Sequence, residues 1–215
     1  MNVSPAAKEA VMGYDMYIEH PPENEETAYQ AASSAFHAAV RDRDALRLPH
    51  DHLSYTTAQA RVEETYAAME AVHTSYFRLN IWGMGEARSA METLGMLTQL
   101  APPPTPNPQD YGTTADELWD YGLDDEGAPE TVRAFRAATQ VVVDSSAEHP
   151  TGIPAYKFSS NDGWLVTPAE IDAALGWWAV APRKIQREIT TQLDWWPEWI
   201  RYLRRARDGG GFRVW

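Results

Sequence analysis

The sequence predicts a mainly helical α+β protein, with long antiparallel helices packed around a small sheet of about three to four strands. Three observations lead there. Apolar residues recur three or four apart over most of the chain, as a helix with one buried face requires. A few short segments alternate at every second position instead, chief among them Tyr76–Trp82. Those segments are not interleaved with helices in the regular rhythm of a doubly wound fold.

The elements follow in order. Ser4-Pro5 reads as a helix start, with serine as N-cap and proline in the first turn, running toward Ile18-Glu19 and stopping before Pro21-Pro22. From Glu23 to about Leu48 a long helix carries Tyr29, Phe36 and Val40 at helical spacing. Acids at its start (Glu23, Glu25, Glu26) and arginines near its end (Arg41, Arg43, Arg47) match the helix dipole. A second long helix opens near Thr56 or Thr57, with Val62, Tyr66, Met69 and Val72 on one face, and the short connection predicts an antiparallel pair. Tyr76–Trp82 then reads as the central strand, Phe77, Leu79 and Ile81 facing one way and Arg78, Asn80 and Trp82 the other. Gly83 and Gly85 turn it sharply into a helix that continues to Leu100. Gly95 falls inside that helix, where glycine costs roughly 1 kcal/mol against alanine, so a closely packed neighbour is expected.

Residues 102–108 are a proline-rich connector, which favours an extended chain. The reading is one domain over 1–215, with the connector crossing its surface; the alternative divides it into 1–101 and 109–215. A short helix is expected at Ala115–Tyr121 and a longer one from Pro129-Glu130 through Val132, Phe135, Val142 and Val143. Ala155–Ser159 reads as a strand, Ser160-Asn161-Asp162-Gly163 as a hairpin turn and Trp164–Val166 as the returning strand. Thr167-Pro168-Ala169-Glu170 has the form of a capping box opening the next helix. A tryptophan-dense helical region closes at Gly209-Gly210-Gly211, and Phe212–Trp215 is a final strand, expected to pair with the 76–82 or the 155–159 strand.

Composition narrows the function. With no cysteine, thiol catalysis, disulfides and thiolate metal sites are excluded. No apolar run approaches the ~18 residues of a membrane span, and no secretory leader is visible, so the expected location is cytoplasmic, away from the membrane. The formal charge is −13 and unevenly spread: residues 101–150 hold ten acids against two bases, and residues 183–213 hold eight bases against four acids. An acidic chain repels phosphate, which disfavours nucleic acid and favours a partner with a basic surface.

No short motif carries chemistry. Trp82-Gly83-Met84-Gly85 with Arg88 invites a phosphate-site reading, but it is neither a Walker loop nor a dinucleotide fingerprint, and Glu86 would repel an anion. His50 and His52 with Asp51 read as loop polarity, so no metal site and no cofactor are assigned. Ser159, Ser160 and His149 lack the nucleophile elbow of a serine hydrolase. No catalytic residue is assigned, and the protein is read as leaning away from enzymatic activity.

The tryptophans depart most from average composition. Trp195, Trp196 and Trp199 with Arg201, Arg204 and Arg205 combine the residue types that dominate binding hot spots, and they are the interface candidates. The leading reading is a soluble, acidic protein-interaction module of the inhibitor, immunity or adaptor type, compatible with homo-oligomers. The alternative is an enzyme or small-ligand-binding protein with a polar-aromatic pocket beside the 76–82 strand, built from Arg78, Asn80, Trp82, Arg88, Asn161, Asp162 and Trp164. A third reading, an acidic mimic of nucleic acid, requires the acids at 110–130 to stand in regular rows.

Overall fold

In the computed structural model, which describes residues 13–121 and 127–215, the main sheet takes its strands from opposite ends of the chain. In chain order the elements are β1 (Gly13–Ile18), α1 (Glu25–Ala45), α2 (Leu53–Val72), β2 (Tyr76–Asn80), α3 (Ile81–Thr93) and β3 (Leu97–Thr98). Then come α4 (Ala115–Asp120), α5 (Glu130–Val143), β4 (Ile153–Pro154), β5 (Trp164–Val166), α6 (Pro168–Val180), α7 (Arg183–Gln192), α8 (Trp196–Asp208) and β6 (Phe212–Val214). The sheet order is β2-β1-β6-β5, antiparallel throughout, and β3 with β4 forms a separate two-stranded parallel pair. The mainly helical α+β architecture is therefore present. β1 and β6, which flank the proline-rich stretch on either side in sequence, are hydrogen-bonded neighbours.

Strand alternation divides the sheet into two faces. Inward go Met16, Ile18, Leu79, Trp164, Val166, Phe212 and Val214, all buried. Against them pack α3, through Met84, Ala87 and Met91, and α8, through Trp199, Tyr202 and Leu203. α6 lies beyond α8 and contributes Ile171, Ala174 and Leu175. Two aromatic contacts knit the layers: Phe77 lies 5.3 Å from Trp199 and 5.3 Å from Tyr202.

Several sequence expectations need correction. The segment approaching Ile18 is a strand: Tyr14, Met16 and Ile18 alternate inward, and β1 bonds to both β2 and β6. The start proposed at Ser4-Pro5 lies outside the described residues. The central strand ends at Asn80, two residues early, because the Asn80 side chain accepts from the Gly83 amide at 2.7 Å and caps α3. Gly83 therefore sits within the first helical turn instead of making a turn before it. α3 stops at Thr93, and Gly95 lies past its end with φ +74°, a left-handed conformation that glycine adopts without penalty. The close neighbour expected there is Trp177, whose ring would stand 3.5 Å from an added Cβ. Residues 155–158 form a 3-10 turn, so β5 has no hairpin partner there and pairs with β6 alone. The final strand accordingly lies between β1 and β5, at neither of the two edges expected for it.

Other expectations hold. Thr167 and Glu170 form the reciprocal capping box, and a second one joins Thr114 to Glu117 at the start of α4. α1 and α2 pair with each other, α1 carrying Glu25 and Glu26 in its first turn and Arg43 in its last. Among the described residues no helix is long and apolar enough to cross a membrane.

Candidate functional site on the outer sheet face

The second face of the sheet is laid out by the same register. Tyr76 stands opposite Tyr17, Tyr17 opposite Arg213, and Arg213 opposite Leu165, giving one row across all four strands. Arg78 stands opposite Asp15. Asp15 and Trp215 exchange both backbone bonds, at 2.7 and 2.8 Å, and the Gly163 amide bonds to Val214, giving a second row that ends at Trp215 and Gly163. Tyr17 is 43% exposed and Trp215 45% exposed, so this face is polar, aromatic and open where the first is sealed.

At the β1–β2 edge, Asp15 accepts from the Tyr76 hydroxyl and faces Arg78 at 3.6 Å. Burial, and then the Asp15 carboxylate that accepts its hydrogen bond, hold the Tyr76 phenol far above its ordinary range. Tyr76 is thus a hydrogen-bond donor and not a base. A ladder of rings continues from it: Tyr17 lies 5.1 Å away, His73 stacks at 4.9 Å, and Tyr29 of α1 lies 4.3 Å beyond His73. In the middle of the face, Arg213 is fixed by Asp144 at 2.7 Å and Glu19 at 2.9 Å.

At the β5–β6 edge a cleft of about 480 Å³ opens between the sheet and α5. Leu118, Phe135, Val143 and Trp215 give it an apolar lining, and Asp162 and Arg136 bring charge. Gly163 has φ +75°, and an added Cβ would stand 2.5 Å from the Trp215 ring. The indole therefore lies directly against the glycine backbone, and only glycine serves at this position. Asn161 donates to the Gly13 carbonyl at 3.0 Å, which ties the turn before β5 to the start of β1.

The sequence-derived candidates divide accordingly. Arg78, Asn161 and Asp162 belong to the outer face, at its opposite edges. Asn80 is occupied in capping α3. Trp82 is 82% exposed on the first turn of α3, and Arg88 lies half-buried further along that helix. Trp164 is buried on the inner side, edge-on to Tyr156 at 4.9 Å. These seven residues do not converge on one pocket beside β2.

The tryptophan cluster is placed in the core. Trp196 is 0% and Trp199 1% exposed, and Trp195 is half-buried against Trp196. One helix accommodates them because α8 is covered on two sides, Trp178 of α6 meeting Trp196 at 5.9 Å and the sheet meeting Trp199. Arg201 and Arg205 pair with Glu198 at 2.7 and 2.9 Å, Arg205 also donates to the Thr74 carbonyl, and Arg204 is exposed. Two of the six interface candidates, Trp196 and Trp199, are thus core residues with no surface to offer.

Sequence reasoning missed the projecting arm. α1 and α2 pack mainly on each other, and only Glu25, Ala39 and Val62 are buried in the pair. Its base is clamped by Glu25, which accepts from Thr74 Oγ1 at 2.7 Å and from the Ser75 amide at 2.8 Å. Each helix is about 30 Å long at 1.5 Å per residue. The signal lay in the sequence: long alanine-rich helices whose apolar positions are too few to cover more than one face. The histidines have structural partners, His52 capping α2 by accepting from the Ser54 amide and His50 packing on Tyr55. Among the described residues no three histidine or acidic side chains converge as a metal site.

Comparison with protein-family models, with curated proteins and with solved structures finds no match to this chain.

Proposed function

We propose that the protein acts by binding another protein, and that the α1–α2 arm with the adjoining outer sheet face is the contact surface. The observation that carries this reading is the arm. Two helices of 21 and 20 residues bury only Ala39 and Val62 as apolar side chains between them. Most helical stability in folded proteins comes from packing an apolar face, and a lone pair of helices packs few residues. A partner laid along the arm supplies the missing burial. Residues 23–73 hold nine acids against four arginines, so the complementary surface is basic.

A photo-crosslinking residue at Tyr66 on the arm, compared with one at Val180 on α6, tests the reading. The expected result is one protein adduct from Tyr66 and none from Val180, lost in a Glu63→Lys, Glu64→Lys, Glu70→Lys variant that keeps its helical circular dichroism. Equal adducts from both positions, or indifference to the charge reversals, defeats it.

A second reading, a small-ligand-binding protein, is supported by the Asp15–Tyr76–Arg78 group beside β2, where a polar ligand would meet a carboxylate, a phenol oxygen and a guanidinium. For the third, acidic-mimic reading, Glu117 is folded into the cap of α4 and the acids at 124–126 lie outside the described residues.

A further inference from the structure

Building on the protein-binding reading, we propose that the cleft between α5 and Trp215 receives an arginine side chain presented by the basic partner. Three features of the cleft fit that side chain. Leu118, Phe135 and Val143 offer apolar wall for its methylene stem. Trp215, pressed against Gly163, presents the aromatic surface on which a guanidinium stacks most strongly. Asp162 supplies a carboxylate, whose other contact is the Ser160 hydroxyl, for a two-pronged ion pair that lysine cannot make.

Arg136 is the opposing charge in the lining. Its Nη2 donates to the carbonyls of Leu118 at 3.4 Å and Tyr121 at 2.9 Å, which holds it toward the end of α4. The charge balance of the chain that builds this side still favours a cation: the described residues of 101–150 carry seven acids against two arginines. The location suits one partner meeting both surfaces. The cleft and the arm's base lie at opposite edges of one sheet face, three strand spacings or roughly 14 Å apart.

The test is a titration of the intact protein with acetyl-Gly-Arg-Gly-amide, read at the Trp215 indole N–H in proton–nitrogen correlation spectra and assigned by its loss in Trp215→Phe. The matching citrulline peptide, equal in shape and uncharged, is the control. The expected result is a saturable shift of Trp215 with the arginine peptide, weakened roughly tenfold in Asp162→Asn and with citrulline. An unmoved Trp215 resonance, or equal response to the two peptides, overturns the proposal. Failure here leaves crosslinking at Tyr66 intact, whereas failure of the arm leaves the peptide titration intact, so the two readings fall separately.

Discussion

Lys157 and Glu170 are both fully buried and lie 2.8 Å apart. The ammonium donates to Glu170 and to the carbonyls of Ser145 and Leu165, so one cation joins the end of α5, the strand β5 and the cap of α6. Burial pushes the Lys157 ammonium down, and the Glu170 charge only partly restores it. Removing one partner of such a pair strands the other: Lys157→Met should cost about 3–5 kcal/mol in denaturant unfolding. Adding Glu170→Gln, which keeps the cap and removes the charge, should recover most of that loss. Glu25 works differently. Burial raises its carboxyl, but the bonds from Ser75 and Thr74 outweigh this and leave it below the ordinary range. A carboxyl depressed on folding contributes stability above its unfolded value of about 4.3, and the contribution disappears as pH falls through the lower folded value. Glu25→Gln should therefore be less stable than the parent near neutral pH and converge with it in acid, as urea midpoints across that range would show.

At the level of elements, α8 carries the core. Trp199 meets Phe77, Phe158 and Phe212 as well as Tyr202. Trp199→Ala should destabilise by about 3–5 kcal/mol, read as a lower thermal midpoint, and not as weaker binding of an otherwise folded protein. The helices were legible in the sequence because their signals are local. Capping by Thr167 and Glu170, the acids opening α1 and the proline at the start of α6 all act within one turn. β1 was misread because Tyr14, Met16 and Ile18 fit a strand only once β6 is beside them, and that partner lies at the other end of the sequence. The burial of Trp196 and Trp199 was not legible for a related reason: whether an indole is core or surface depends on how many elements surround its helix, which periodicity does not report. On the outer face, the positions of Arg78, Asn161 and Asp162 were legible because strand and turn signals are local. The meeting of Trp215 and Phe135 was not, because it depends on where α5 lies beside the sheet.

On the scale of the whole molecule, charge is divided between regions, acid on the arm and around α4, arginine on α7 and α8. The sheet is divided too, and β6 is the strand that joins its halves. Removing Phe212–Trp215 leaves β5 without a partner and exposes one side of β1. The shortened chain should lose its cooperative thermal transition while keeping much of its helical circular dichroism. The pairing of Ile18 with Phe212 also sets a timetable for biosynthesis. β1 leaves the ribosome before the other strands of its sheet, and β2 can join it once the arm has been made. The strand that bonds its other edge is translated nearly 200 residues later, at ~5–20 residues per second. For that interval of roughly ten seconds or more, the nascent chain displays an unpaired strand edge, which is the feature that chaperones and neighbouring nascent chains recognise.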